Sequence, residues 1–309
     1  MKKFKLFSTI LGAVFLAFLI IIKLSEKPED ILQKHLKNRY NKEFVIAYSG
    51  ERSDGRSKWF EAEIYPKELV GTTREYDKYY WAKGFVEDGK GGDTYGGVLL
   101  NESANKFYLP KLKELFGKNV LPILNVEGYY EKTDFQEEMA RRREFYRKDP
   151  KGNFFPISGG IYIFGRVESD EDREWYRKQI YEFVQFMKQT GTFEYVDLDI
   201  IISDERALTK GYEEVTKKLV YNDKNMTEWK KRKNEEMKSL NSEFAKMTQK
   251  ELNNKLNSIN KSEYLQKSSG GLLYVKLYSP KYITSQNLDD EEVKNYDKLE
   301  DINFRWEVW

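Results

Sequence analysis

The run "VDLDII" places Asp197 and Asp199 two residues apart among apolar neighbours. Side chains alternate along a strand, so the two carboxylates point to one side. Paired carboxylates can hold a divalent cation, or divide into an acid and a base where their surroundings differ. The opposite face, Val196, Leu198, Ile200 and Ile202, is uniformly apolar. A strand with one solvated face shows the same pattern without any chemistry. No third acid stands at a diagnostic metal-ligand spacing, so no metal is expected. Asp197 and Asp199 are the candidate catalytic pair of an acid-dependent hydrolase, with a solvated strand face as the plainer reading. Glu61 and Glu63 repeat the same ambiguity.

A second chemistry-bearing stretch is "VEDGKGGDTYGG", residues 86–97, with five glycines in twelve positions. A nucleotide-binding loop needs G-x-x-x-x-G-K-[ST], because its lysine must follow the last glycine to reach the outer phosphates. Gly91 and Gly96 have that span, but Gly97 and Val98 follow, and Lys90 precedes. The dinucleotide pattern G-x-G-x-x-G meets Gly89 and Gly91 but has Thr94 at its third position. The stretch 89–97 reads as a mobile strand-to-helix loop, and no cofactor is expected.

The chain has one histidine, His35, beside an apolar helix stripe, and no G-x-S-x-G nucleophile elbow. "ARRREFYR" carries Arg141, Arg142, Arg143 and Arg147, interleaved with Glu137, Glu138 and Glu144. Local pairing on an exposed helix accounts for them. Aromatic clusters such as "KYYWAKGF" and "NFRWEVW" can stack on sugars, but cores use the same residues. Phe304, Trp306 and Val308 share one strand face.

The chain length of 309 residues accommodates two modest cores. Lysine and arginine number 53 against 51 acids, a net charge of +2 that gives no general attraction to nucleic acid. With no cysteine, disulfides, thiolate metal sites and cysteine nucleophiles are excluded.

The elements that would carry these residues begin with a candidate membrane span. Leu6 to Ile22 carry no charge and are almost wholly apolar. That is the short end of what spans a bilayer as a helix, roughly 17–25 residues. Lys2, Lys3 and Lys5 precede it and favour a cytoplasmic N-terminus. A cleaved export signal is the rival, but the run is long for one and ends "FLIIIKLSEK" with no small-residue pair. The expectation is a single-pass signal anchor in the cell membrane, with the bulk of the chain extracytoplasmic. The reversed topology, facing the cytoplasm, is the other possibility.

Beyond it, residues 28–40 have helical spacing, and "EFVIAYSG", "SKWFEAEIYP" and "KYYWAKGFVE" read as strands. A helix over 98–117, kinked or begun again at Pro110, and a strand from 119 onward complete a first α+β domain, 28–130. The second domain, 131–309, opens with a charged helix. Next come a strand at 158–168, a helix capped by Ser169 and a strand at 192–203, an order that predicts a βαβ crossover. In that helix Trp175, Ile180, Phe183, Val184 and Met187 form the apolar stripe. A polar helical insertion spans about 205–266. Its seam is Met237, Leu240, Phe244 and Met247, and Thr248 with Glu251 offers a capping box. The last strands are "GGLLYVKLYS" and "DINFRWEVW". The fold class is α+β, mainly antiparallel sheets with packed helices behind an N-terminal transmembrane helix.

This layout, a short N-terminal anchor followed by "EDILQKHLKNRYNKEF" and successive aromatic strands, resembles uncharacterised membrane-anchored bacterial surface proteins of small α+β build. The resemblance implies no activity and assigns no site residue. The functional expectation is an extracytoplasmic protein that binds a protein or glycan partner of the envelope without catalysis; the alternative is the acid-dependent hydrolase.

Overall fold

The computed structural model describes residues 26–128, 130, 132–149, 154–217, 228, 231–232, 235–266, 271–289 and 291–307. The expected membrane segment at 6–22 and Val308 lie outside them. Among the described residues no helix is long and apolar enough to cross a membrane. Two compact units are formed, one from residues up to Val70 with Ala82–Thr94, the other from Gly71–Trp81 with Tyr95 onward.

In the first unit, helix α1 (Pro28–Tyr40) lies on an antiparallel meander of β1 (Phe44–Ser53), β2 (Lys58–Pro66), β3 (Ala82–Glu87) and β4 (Lys90–Asp93). Pro28, Glu29 and Asp30 suit the helix start, and Lys37 and Arg39 suit its last turn. Asn41, left-handed at φ 51°, ends it, its N–H bonding the Lys37 carbonyl. Leu32 and Leu36 are fully buried against the sheet.

The glycine-rich stretch is not a mobile loop. It contains a two-residue hairpin at Asp88 and Gly89, both at positive φ, then strand β4. Such hairpins need positive φ at both central residues to match strand twist. Gly91 lies beneath α1: a Cβ there would stand 2.7 Å from the His35 Cβ. Its small size serves helix-on-strand packing. His35 packs half-buried beside the apolar stripe of α1. Its Nε2 is 2.7 Å from the Asp93 carboxylate, which also accepts from Arg39 Nη1 (3.0 Å) and the Tyr40 hydroxyl (2.6 Å).

The second unit is built on a five-stranded sheet: β5 (Val120–Val126), β6 (Ile157–Gly165), β7 (Val196–Asp204), β8 (Gly271–Tyr278) and β9 (Trp306–Glu307), in that order. Helices α2 (Tyr95–Phe116), α3 (Phe135–Lys148) and α4 (Asp170–Gln189) bury one face of it. β6 and β7 are parallel, joined through α4 as the predicted crossover, and the other pairs are antiparallel. The Ser169 hydroxyl caps α4 by accepting the Asp172 N–H.

Four sequence expectations change. The sheets part at Thr94/Tyr95 and not at residue 130, because β5 hydrogen-bonds to β6 from Val120↔Ile163 to Val126↔Ile157. Helix α2 runs unbroken through Pro110, held by Leu100, Ala104, Tyr108 and Leu112 in the core. Trp175 is exposed, and Tyr176 takes its place in the stripe with Ile180, Phe183, Val184 and Met187. That set follows the i, i+4, i+7, i+8, i+11 spacing of one helix face, and residue 175 lies about 100° away from it. Arg142 is buried at 1% exposure. It pairs with Glu138 and donates to the carbonyls of Glu127 and Phe155. The expected local pairing does hold for Arg141–Glu138 and Glu144–Lys148.

The insertion is a series of short helices: α5 (Tyr212–Lys217), α6 (Lys238–Lys246), α7 (Gln249–Ser258) and α8 (Lys261–Gln266). Met237 and Leu240 are buried, and Thr248 with Glu251 forms the capping box. A last helix, α9 (Pro280–Gln286), follows β8.

Gly91→Ala tests the packing argument in the first unit. The added methyl has no flexible neighbour to displace, so it is expected to lower stability by about 1–3 kcal/mol. Urea denaturation of the full-length chain in neutral detergent measures this.

Candidate functional site

The excursion Gly71–Trp81 leaves the first unit's chain between β2 and β3 and belongs to the second unit. Its fixed point is Asp77, a carboxylate only 1% exposed. Asp77 accepts the N–H of Tyr79 (3.1 Å), of Lys261 (2.8 Å) and of Ser262 (3.0 Å). It therefore caps its own short 3-10 turn, Lys78–Tyr80, and the start of α8.

The turn presents Tyr79 to the outer edge of β5. The Tyr79 hydroxyl donates to the Leu124 carbonyl (2.8 Å) and accepts from Asn105 Nδ2 (2.7 Å). Asn105 Oδ1 accepts the Leu124 N–H, and Asn101 Oδ1 accepts the Val126 N–H. Side chains of α2 and Tyr79 thus satisfy an edge that no strand pairs. Pro122, which cannot donate, lies on this edge strand.

Above this edge lies a cavity of about 430 Å³, wholly within the second unit. Its walls come from α2, from the start of β5, from α7 and from Lys261 at the start of α8. Leu109, Leu121 and Leu256 supply apolar lining. Five cations converge on it: Arg74, Lys106, Lys113, Lys118 and Lys261, against one lining acid, Glu102. Among the described residues none of the five has a carboxylate within ion-pair distance.

Lys261 is the cation under most tension. Its ammonium sits 4.5 Å from the Tyr79 ring and 5.0 Å from the Tyr80 ring. The Arg74 guanidinium faces the same Tyr80 ring at 5.0 Å. Burial brings the Lys261 pKa down to about 8, against the pull of Glu102 and with Arg74 adding to the fall. Ring faces attract a cation by roughly 0.5–2 kcal/mol, which does not replace lost hydration. An anion entering the cavity would supply the missing counter-charge.

The predicted pair sits elsewhere in this unit. Asp197 and Asp199 do share one side of β7, opposite the buried Val196, Leu198, Ile200 and Ile202. Lys276 of β8 reaches both, at 2.6 Å from Asp197 and 3.1 Å from Asp199. The Tyr274 hydroxyl donates to Asp199 (2.8 Å). Burial lowers the Lys276 affinity for its proton, but the two carboxylates outweigh this and raise its pKa. The arrangement is an ion triad with one ammonium bridging the two carboxylates. Among the described residues no group of three histidines and acids could hold a metal ion. Glu61 faces Lys83 and Arg52 on the first sheet.

The pocket residues come from four separate stretches, and none of them forms a local motif. The one readable trace is Glu102, Lys106, Leu109 and Lys113 at i, i+4, i+7, i+11, a polar-apolar helix face that does not belong to the core stripe.

No protein-family model matches the chain, and no curated protein matches it. Among solved structures, a DUF5037 family protein from Ruminococcus gnavus is similar with a TM-score of 0.34 and 13% identity, over 62% of this chain and 80% of that one.

Asp77→Ala removes the acceptor of three buried N–H groups. The expected loss is about 2–4 kcal/mol, two caps' worth. Asp77→Asn, which keeps one acceptor oxygen, recovers part of it. Thermal unfolding of the two full-length variants measures both.

Proposed function

We propose that this chain is a membrane-tethered receptor. Residues 6–22 hold it in the cell membrane, the remainder works outside the cytoplasm, and the second unit binds an anionic envelope component by contact, without bond-making. The observation that carries this reading is the convergence of five unpaired cations on one cavity, with Lys261 partly desolvated among them.

A lysine in this position works against folding. Between pH about 8 and its ordinary value, the unfolded chain holds a proton that the folded chain does not, so its contribution to stability rises with pH there. At neutral pH the folded state carries the whole penalty. A residue retained at such a cost, facing a cavity, suits a ligand that returns the counter-charge.

The acid-dependent hydrolase at Asp197 and Asp199 has less support. Both carboxylates are already engaged by Lys276, and a general acid and base need surroundings that push their pKa values apart.

Calorimetric titration of the full-length chain with inorganic tripolyphosphate tests the reading. Affinity is expected to fall as pH rises through about 8, because the ammonium is lost and the bound anion favours it. Lys261→Met should weaken binding at least tenfold at pH 7 and remove that pH step. The same variant should unfold at higher denaturant at pH 7 than the parent. Weaker binding without added stability would mean that Lys261 is not under the strain described.

Protease treatment of intact cells checks the placement. Residues beyond 28 should be digested from outside. Protection until the cells are lysed would reverse the topology.

A further inference from the structure

The shape of the pocket says more than its charge. Its lining includes Glu102, Lys106, Leu109 and Lys113 of a single helix, α2. Eleven residues of helix rise about 16 Å, and Lys106 stands about 10 Å from Lys113 along the axis. The cavity is therefore a groove running along three turns of α2.

The charges are distributed along the groove and not gathered at one point. Lys261 feels the charges of both Glu102 and Arg74, so these three mark one end. Lys113 and Lys118 flank the helix stop at Gly117 and mark the other. Lys106 stands between them, and Leu109, Leu121 and Leu256 line the interval. Four of the five cations are lysines, compact point charges with no planar fork. They match singly charged phosphodiester oxygens, where a row of bidentate carboxylates would favour arginine. The apolar interval matches short carbon spacers. Asn257 and the Glu102 carboxylate also line the groove, and both can bond hydroxyls.

We infer that the groove binds a linear polyanion in which phosphodiesters alternate with short polyol spacers, laid as a single chain along α2. This rests on the anion-binding reading and adds to it the length and spacing of the ligand. Recognition is by counter-charge along a line, so affinity should grow with the number of repeats until the groove is full.

The test titrates the full-length chain in neutral detergent with synthetic glycerol-phosphate oligomers of one, three and six repeats. Inorganic tripolyphosphate, triglutamate and a deoxythymidine trinucleotide serve as comparators. Affinity should rise at least tenfold from one repeat to three, by less from three to six, and the three-repeat oligomer should bind tightest of the three-unit probes. The Lys113→Ala, Lys118→Ala double variant should lose about tenfold for three repeats and little for one. Those lysines face the cavity and leave the Asp77 caps untouched, so the variant should fold. Equal affinity for one and three repeats would overturn the inference, as would equal or tighter binding of triglutamate or the trinucleotide. Tripolyphosphate binding with no gain from spaced phosphates leaves the anion site standing and removes the linear ligand. Failure of every anion to bind removes both.

Discussion

A carboxylate withdrawn from water has to find donors, and Asp77 finds three backbone N–H groups on two segments far apart in sequence. Leaving each of those groups unmet would cost about 1–3 kcal/mol, so the junction between the 78–80 turn and the start of α8 is tightly specified. Much follows from that junction. It sets the rings of Tyr79 and Tyr80 beneath the Lys261 ammonium, and it brings the Tyr79 hydroxyl to the Leu124 carbonyl. With Asn101 and Asn105, that hydroxyl closes the free edge of β5. An open edge would invite pairing with another chain. Closed by side chains and not by a strand, it can serve as one wall of a cavity.

Two cations in the second unit, one buried and one half-buried, show how structure and function divide. Arg142 is sealed in, yet Glu138 and two backbone carbonyls answer its guanidinium. Burial lowers its pKa without removing its charge, and burial raises that of Glu138 while Arg141 and Arg142 bring it below its ordinary value. That pair fastens α3 to the segments on either side of it. Lys261 has ring faces and the charges of Glu102 and Asp77 without an ion pair to either, and burial brings its pKa down to about 8. A partnered charge explains itself within the fold. An unpartnered one facing a cavity calls for something from outside.

Much of the fold was legible in the sequence, because strand alternation and helix stripes depend on local spacing. The β6–α4–β7 crossover, the Ser169 cap, the Thr248–Glu251 box and the buried face of β7 all followed from residues a few positions apart. What escaped depended on long-range partners. The assignment of β5 to the second sheet is decided by its pairing with β6 and by Asn101, Asn105 and Tyr79, which no local pattern announces. Gly91 looked like a loop residue because glycine needed for close packing and glycine needed for flexibility are the same letter. Arg142 looked exposed because its acid neighbours suggested surface pairing, while the carbonyls it serves lie 13 and 15 residues away. The paired aspartates were correctly placed on one strand face, but Lys276, which neutralises them, comes from a strand more than seventy residues later.

The near balance of 53 basic and 51 acidic residues conceals the feature that matters most. Balance over a whole chain says nothing about balance at one place. At Asp93 the charge is answered: a sealed carboxylate meets His35, Arg39 and Tyr40. At Asp197 and Asp199 it is nearly so, with one lysine between two acids. On α3 and α4 acids and bases pair along the helix surface. Against that background a groove holding five cations and one acid is an exception made by the tertiary fold, since its members come from residues 74, 106, 113, 118 and 261. Like charges gathered without partners repel, by about 1 kcal/mol or more per close pair at a partly solvated surface. The charges named above are answered within the fold, whereas these five stand together along α2, and the proposed anion binding rests on that arrangement.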